Sequence, residues 1–68
     1  MTYTFCERLK ELREEQNLSY RQLSKNTGFS DTALRKWEKG IQIPNIETLV
    51  ALAQYFKVST DYLLGLVD

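Results

Sequence analysis

What this chain lacks narrows its chemistry first. Its 68 residues contain no histidine and a single cysteine, Cys6. Neither a Cys/His nucleophile pair nor a usual zinc site can be assembled, and no internal disulfide can form. Cys6 is therefore read as a packed or half-exposed helix residue. Three scattered glycines make no glycine-rich phosphate loop. No apolar run approaches the roughly 18 residues needed to cross a membrane. The opening MTYTFCERLK has no apolar centre of a signal peptide, so a cytoplasmic location is expected. A chain this short builds one domain near the lower size limit for a self-sufficient core. An enzyme is not expected, and neither is a cofactor, a metal or a small-molecule ligand.

Net charge is also absent, with nine cations against nine anions. Its distribution is uneven. Residues 1–18 carry Arg8, Lys10 and Arg13 against Glu7, Glu11, Glu14 and Glu15, a balance of −1. Residues 19–45 carry Arg21, Lys25, Arg35, Lys36 and Lys39 against Asp31 and Glu38, a balance of +3. Residues 46–68 carry Lys57 against Glu47, Asp61 and Asp68, a balance of −2. Positive charge thus gathers in the middle segment, which is the asymmetry that matters for approach to phosphate.

That segment, SYRQLSKNTGFSDTALRKWEK from Ser19 to Lys39, reads as two short helices around a turn at Gly28-Phe29-Ser30. Ser19 with Gln22 three residues on is a capping-box pattern. Gly28 suits a left-handed stop, and Ser30 can cap the next helix with Asp31 beside the positive end of its dipole. The second helix, Asp31 to Lys39, has two faces. Leu34, Trp37, Glu38 and Ile41 form an inward stripe at helical spacing; Thr32, Arg35, Lys36 and Lys39 form the other side. This is the helix-turn-helix layout, in which the second helix is offered to the major groove of DNA. An ordinary solvated face is the competing reading.

Three further helices frame this pair, and nothing reads as a strand. The first is expected over Phe5 to Gln16, with Thr4 and Glu7 as a capping box, Phe5, Leu9 and Leu12 inward, and the remaining charges in solvent. Asn17 is a left-handed stop. The helix over Tyr20 to Thr27 gives Leu23 to the core. Pro44 biases Ile43 to extended geometry, and Asn45 caps a helix over Ile46 to Phe56 that turns Ile46, Leu49, Leu52, Ala53 and Phe56 inward. Ser59 caps a last short helix, Thr60 to Leu64, stopped by Gly65. The expected architecture is all-α, five helices over residues 5–64, with short tails at 1–4 and 65–68.

At the level of whole runs the chain resembles the lambda Cro/repressor-like helix-turn-helix family, also called the XRE family. The runs are Leu9-Lys10-Glu11-Leu12-Arg13-Glu14-Glu15, Leu18-Ser19, Leu23-Ser24, Trp37-Glu38-Lys39-Gly40, Pro44, Leu49, Leu52-Ala53, Val58-Ser59 and Asp61-Tyr62-Leu63-Leu64. The resemblance implies a dimeric, sequence-specific DNA-binding transcriptional regulator of bacterial or phage type. It also implies an ion pair between Arg13 and Glu38 that ties the first helix to the recognition helix. The inward position of Glu38 agrees, because a lone buried carboxylate is expensive.

Two positions depart from the family pattern. Tyr20 stands where many members have a phosphate-contacting glutamine; its phenol can donate to phosphate, or its ring can pack on the recognition helix. Asp31, at the first recognition position, can accept from cytosine N4 or complement the helix dipole. The expected base contacts are Asp31, Thr32, Ala33, Arg35 and Lys36, with Ala33 suited to a thymine methyl and the cations to guanine. The expected phosphate contacts are Tyr20, Arg21, Lys39 and Gln42, together with the first N–H groups of the Tyr20–Thr27 helix. The partner would be double-stranded DNA with palindromic half-sites roughly 10 bp apart, bound by a homodimer. Tyr55, Tyr62 and Leu66 are candidates for the dimer surface or for plain surface. Two alternatives stay open: a protein-interaction module of the same fold, and an antitoxin or restriction controller acting on its own operon.

Overall fold

The computed structural model describes residues 2–67, and these form five helices and no strand. They are α1 (Thr2–Glu15), α2 (Tyr20–Thr27), α3 (Asp31–Glu38), α4 (Ile46–Phe56) and α5 (Thr60–Leu64). Four of the five starts carry the expected side-chain cap. Ser19, Ser30, Asn45 and Ser59 each accept the backbone N–H three residues on, at 2.8–3.1 Å. The Ser19–Gln22 box is closed in both directions, with Gln22 Oε1 accepting the Ser19 N–H at 2.9 Å. Each such cap is worth about 1 kcal/mol to the helix it opens. Left-handed residues stop the chain where expected, at Asn17, Gly28 and Gly65.

Every helix contributes to the core. Leu9, Leu23, Leu34, Leu52 and Leu63, one from each helix, have no exposed surface. Burying each contributes about 1.5–3 kcal/mol. Phe5, Leu12, Trp37, Ala53 and Phe56 complete the cluster. Helix α3 rests against α1 and α2, while α5 closes the other side against α1 and α4. Among the described residues no helix is long and apolar enough to cross a membrane.

Several expectations are corrected. Helix α1 begins at Thr2, so Thr4 lies inside the helix and cannot cap it with Glu7; Met1 and Asp68, the ends of the two expected tails, lie outside the described residues. The last regular residue of α3 is Glu38, and Lys39 is its cap. Ile41 and Ile46 were placed inward by periodicity but are 69% and 79% exposed. Periodicity identifies a face, not how far along the axis the core reaches. Both residues sit where the chain has run past the edge of the core. Arg8 is not a solvated charge: its guanidinium donates to the carbonyls of Tyr62 (3.0 Å) and Val67 (2.8 Å) and lies 4.2 Å from the Tyr62 ring centre. Tyr55 and Tyr62 are half-buried against the core, whereas Leu66 is exposed.

Candidate nucleic-acid interface

The turn that aims α3 is fixed by short-range bonds. Gly28, with φ of 84°, donates its N–H to the Ser24 carbonyl at 2.8 Å. The Ser24 hydroxyl donates across the turn to the Phe29 carbonyl, and the Thr27 hydroxyl donates to the Leu23 carbonyl at 2.7 Å. Phe29 then packs edge-on against Trp37, ring centres 5.6 Å apart. Such aromatic pairs add about 0.5–1.5 kcal/mol beyond area burial. The Ser24–Phe29 bond cannot be read from the sequence, because a serine four residues before a glycine does not reveal which carbonyl it will meet.

The inner side of α3 is held by Leu34, Trp37 and Glu38. The Glu38 side chain is 2% exposed and receives Arg13 through two bonds, Nε to Oε2 at 2.7 Å and Nη2 to Oε1 at 3.2 Å. Arg13 also donates to the Leu18 carbonyl at 2.7 Å, which ties the α1–α2 connection into the same node. The Tyr20 hydroxyl donates to Glu38 Oε1 at 3.1 Å, so the carboxylate is met from three directions. Hydrogen bonding to Glu38 pushes the Arg13 pKa up; burial, with the charge and hydrogen bond of Glu38, pushes that of Tyr20 up. Both groups therefore keep their protons throughout the physiological range. The phenol spends its one proton on Glu38, so Tyr20 adopts the packed role and has no proton left for a phosphate.

The outer side of α3 is different. Thr32, Arg35, Lys36 and Lys39 are all exposed, and Asp31 is half-exposed. With Ile41 these residues line a shallow groove of about 480 Å³. Arg13–Glu38 is the only ion pair among the described residues, so the three outer cations are unneutralised by any carboxylate within 4 Å. Ala33 is half-buried and packed on the core. Ile41 is an apolar rim to this surface that the inward-stripe reading had hidden.

Two exposed polar side chains flank this surface. Arg21 is exposed on the first turn of α2, and Gln42 is exposed in the segment after α3. The capping box satisfies Ser19 and Gln22, but the Tyr20 and Arg21 N–H groups have no earlier helical carbonyl to meet. Their dipole end attracts negative charge. An eight-residue helix such as α3 is about 12 Å long, comparable to the width of a major groove.

Comparison with known proteins agrees with this geometry. A family model described as helix-turn-helix matches residues 9–63. The chain is 42% identical over 61 residues to the HTH-type transcriptional activator BcrR of Enterococcus faecalis, covering 90% of this chain and 30% of the relative. It is 36% identical over 64 residues to the uncharacterized HTH-type transcriptional regulator YobD of Bacillus subtilis, covering 94% and 57%. It is 36% identical over 63 residues to repressor protein C2 of Salmonella phage P22, covering 93% and 29%. The chain thus spans from under a third to just over half of the length of these relatives. No solved structure matches it. With five helices, a capped and stapled turn, and a family match running from Leu9 to Leu63, the chain belongs to the helix-turn-helix family of the lambda Cro/repressor (XRE) type.

Proposed function

We propose that this chain reads DNA for a transcriptional regulator, docking α3 in the major groove as a homodimer on a palindromic operator. One observation carries the reading. The outer face of α3 offers Thr32, Arg35, Lys36 and Lys39 to solvent with no paired acid, while its inner face is pinned by Leu34, Trp37 and the Arg13–Glu38 bond. A helix held rigidly on one side and cationic on the other is what groove docking requires. Thr32, Arg35 and Lys36 meet base edges, the arginine and lysine suited to guanine O6 and N7. Asp31 accepts from cytosine N4 at the helix start, and Ala33 adds at most an edge contact. Arg21, Lys39, Gln42 and the first N–H groups of α2 grip phosphate and set the register. Relatives whose names include a transcriptional activator and a phage repressor support the regulatory role without choosing its sign.

Selection from random duplexes followed by sequencing tests this. The expected product is a two-fold symmetric site with half-sites roughly 10 bp apart. If about three phosphates are neutralised per subunit, log K against log salt for the dimer falls with a slope near −5. No duplex retained at low salt, or a flat salt response, would refute DNA binding. The exposed Ile41, Ile43, Ile46 and Val50 favour a second reading, a protein-binding module, and that result would favour it too.

A further inference from the structure

The outer face of α3 is not independent of α2. Arg35 is exposed, yet its guanidinium carbon lies 5.1 Å from the centre of the Tyr20 ring. Arg13 lies 4.3 Å from the same ring centre, and the ring's hydroxyl is bonded to Glu38. The ring is thus fixed at one end by a buried carboxylate and along its body by a guanidinium that is itself tied to that carboxylate. Arg35 meets a part of the molecule that does not move freely.

We infer that Tyr20 is a positioning residue for Arg35: its ring holds the guanidinium in place before DNA arrives and so sets how sharply the protein discriminates at the base pair Arg35 reads. This rests on the reading of Arg35 as a base contact. The chemistry of the contact matters. A carboxylate partner would occupy the N–H donors of the guanidinium, whereas an aromatic ring attracts the cation through its quadrupole and consumes no N–H. Among the described residues the Arg35 side chain donates to no acceptor, so its whole donor fork remains for a guanine edge. An exposed arginine otherwise samples many rotamers, and freezing it on a base costs entropy. A contact made beforehand removes part of that cost. The negative charge of Glu38, bonded to the same ring, offsets the repulsion between the two guanidiniums.

The test uses four variants of the chain against the selected operator: Tyr20→Leu, Tyr20→Phe, Arg35→Ala and the double Tyr20→Leu/Arg35→Ala. Arg35→Ala first identifies the guanine position whose replacement ceases to matter. A single bidentate contact there corresponds to a loss of about 5- to 140-fold. Tyr20→Leu should lower discrimination at that same position by about 2- to 5-fold per half-site, the range of an exposed cation–aromatic contact. Tyr20→Phe keeps the ring and should retain most of it. The double variant should discriminate no worse than Arg35→Ala alone. A purely structural role for Tyr20 would instead weaken binding to all duplexes alike, and that result overturns the inference. So does wild-type discrimination in Tyr20→Leu once Arg35→Ala has located the position. If Arg35→Ala changes no base preference, the base-reading assignment itself fails, and the specificity role with it. NMR of the free proteins separates the two failures. Ring-current shifts of the Arg35 side-chain protons, present in wild type and Tyr20→Phe and absent in Tyr20→Leu, report the contact without DNA; their absence in wild type would refute the positioning.

Discussion

Removing one partner of the Arg13–Glu38 pair should cost far more than removing one partner of an exposed ion pair. Glu38 is 2% exposed and Arg13 12%, so both charges are largely out of water. In Arg13→Ala the carboxylate keeps only the Tyr20 hydroxyl at 3.1 Å, and two charge-assisted bonds vanish. Stranding a buried charge in this way costs about 3–5 kcal/mol. Glu38→Ala leaves Arg13 its bond to the Leu18 carbonyl and a path to solvent, and orphans the Tyr20 hydroxyl instead; its cost should fall at the lower end of that range. A domain of this size has roughly 3–10 kcal/mol of stability in total, so either single variant approaches the folding threshold. Each kcal/mol shifts Tm by about 4–8 °C at this length, so Arg13→Ala should melt at least 12 °C or so below wild type. The double variant removes both charges and should lose clearly less than the two singles combined, with a coupling of about 2 kcal/mol. Urea denaturation followed by circular dichroism at low temperature, where all four proteins hold some folded population, measures the cycle. Additivity within about 0.5 kcal/mol would show that the pair is not coupled, and the account of how α3 is anchored to α1 would be wrong.

Three further expectations follow from particular residues. Gly28→Ala should cost about 1–2 kcal/mol, the cost of a left-handed backbone alone, because a methyl there meets nothing within 4 Å; Gly65→Ala should cost more, because its methyl would collide with the Thr4 side chain, and thermal melts rank the two. Ile46→Ala should change stability by no more than about 0.5 kcal/mol, against about 2–5 kcal/mol for Leu52→Ala, although helical periodicity puts both on one stripe; equal losses in urea would restore the inward reading of Ile46. The raised pKa of Tyr20 means the folded protein holds that proton more tightly than the unfolded chain does. Its stabilisation is fully present below about pH 10 and disappears as pH climbs through the folded value, so Tyr20→Phe should lose stability less steeply than wild type on the alkaline side. Parallel alkaline limbs in denaturation curves would show that this phenol makes no such contribution.

Local chemistry determined most of the framework. The Ser19–Gln22 box, the caps at Ser30, Asn45 and Ser59, and the left-handed stops at Asn17, Gly28 and Gly65 are signals within four residues of one another, so they can be read along the chain before it folds. The same is true of the two faces of α3 and of the +3 balance around them. Tertiary structure decided what lies beyond that range. The start of α1 at Thr2, the outward placement of Ile41 and Ile46, and the clasp of Arg8 on the Tyr62 and Val67 carbonyls depend on where the core ends and which chain ends meet. So does the fate of Tyr20, whose hydroxyl could serve phosphate or protein on local grounds alone. Its partner Glu38 lies 18 residues away, and only packing α2 on α3 placed that buried carboxylate within the phenol's reach.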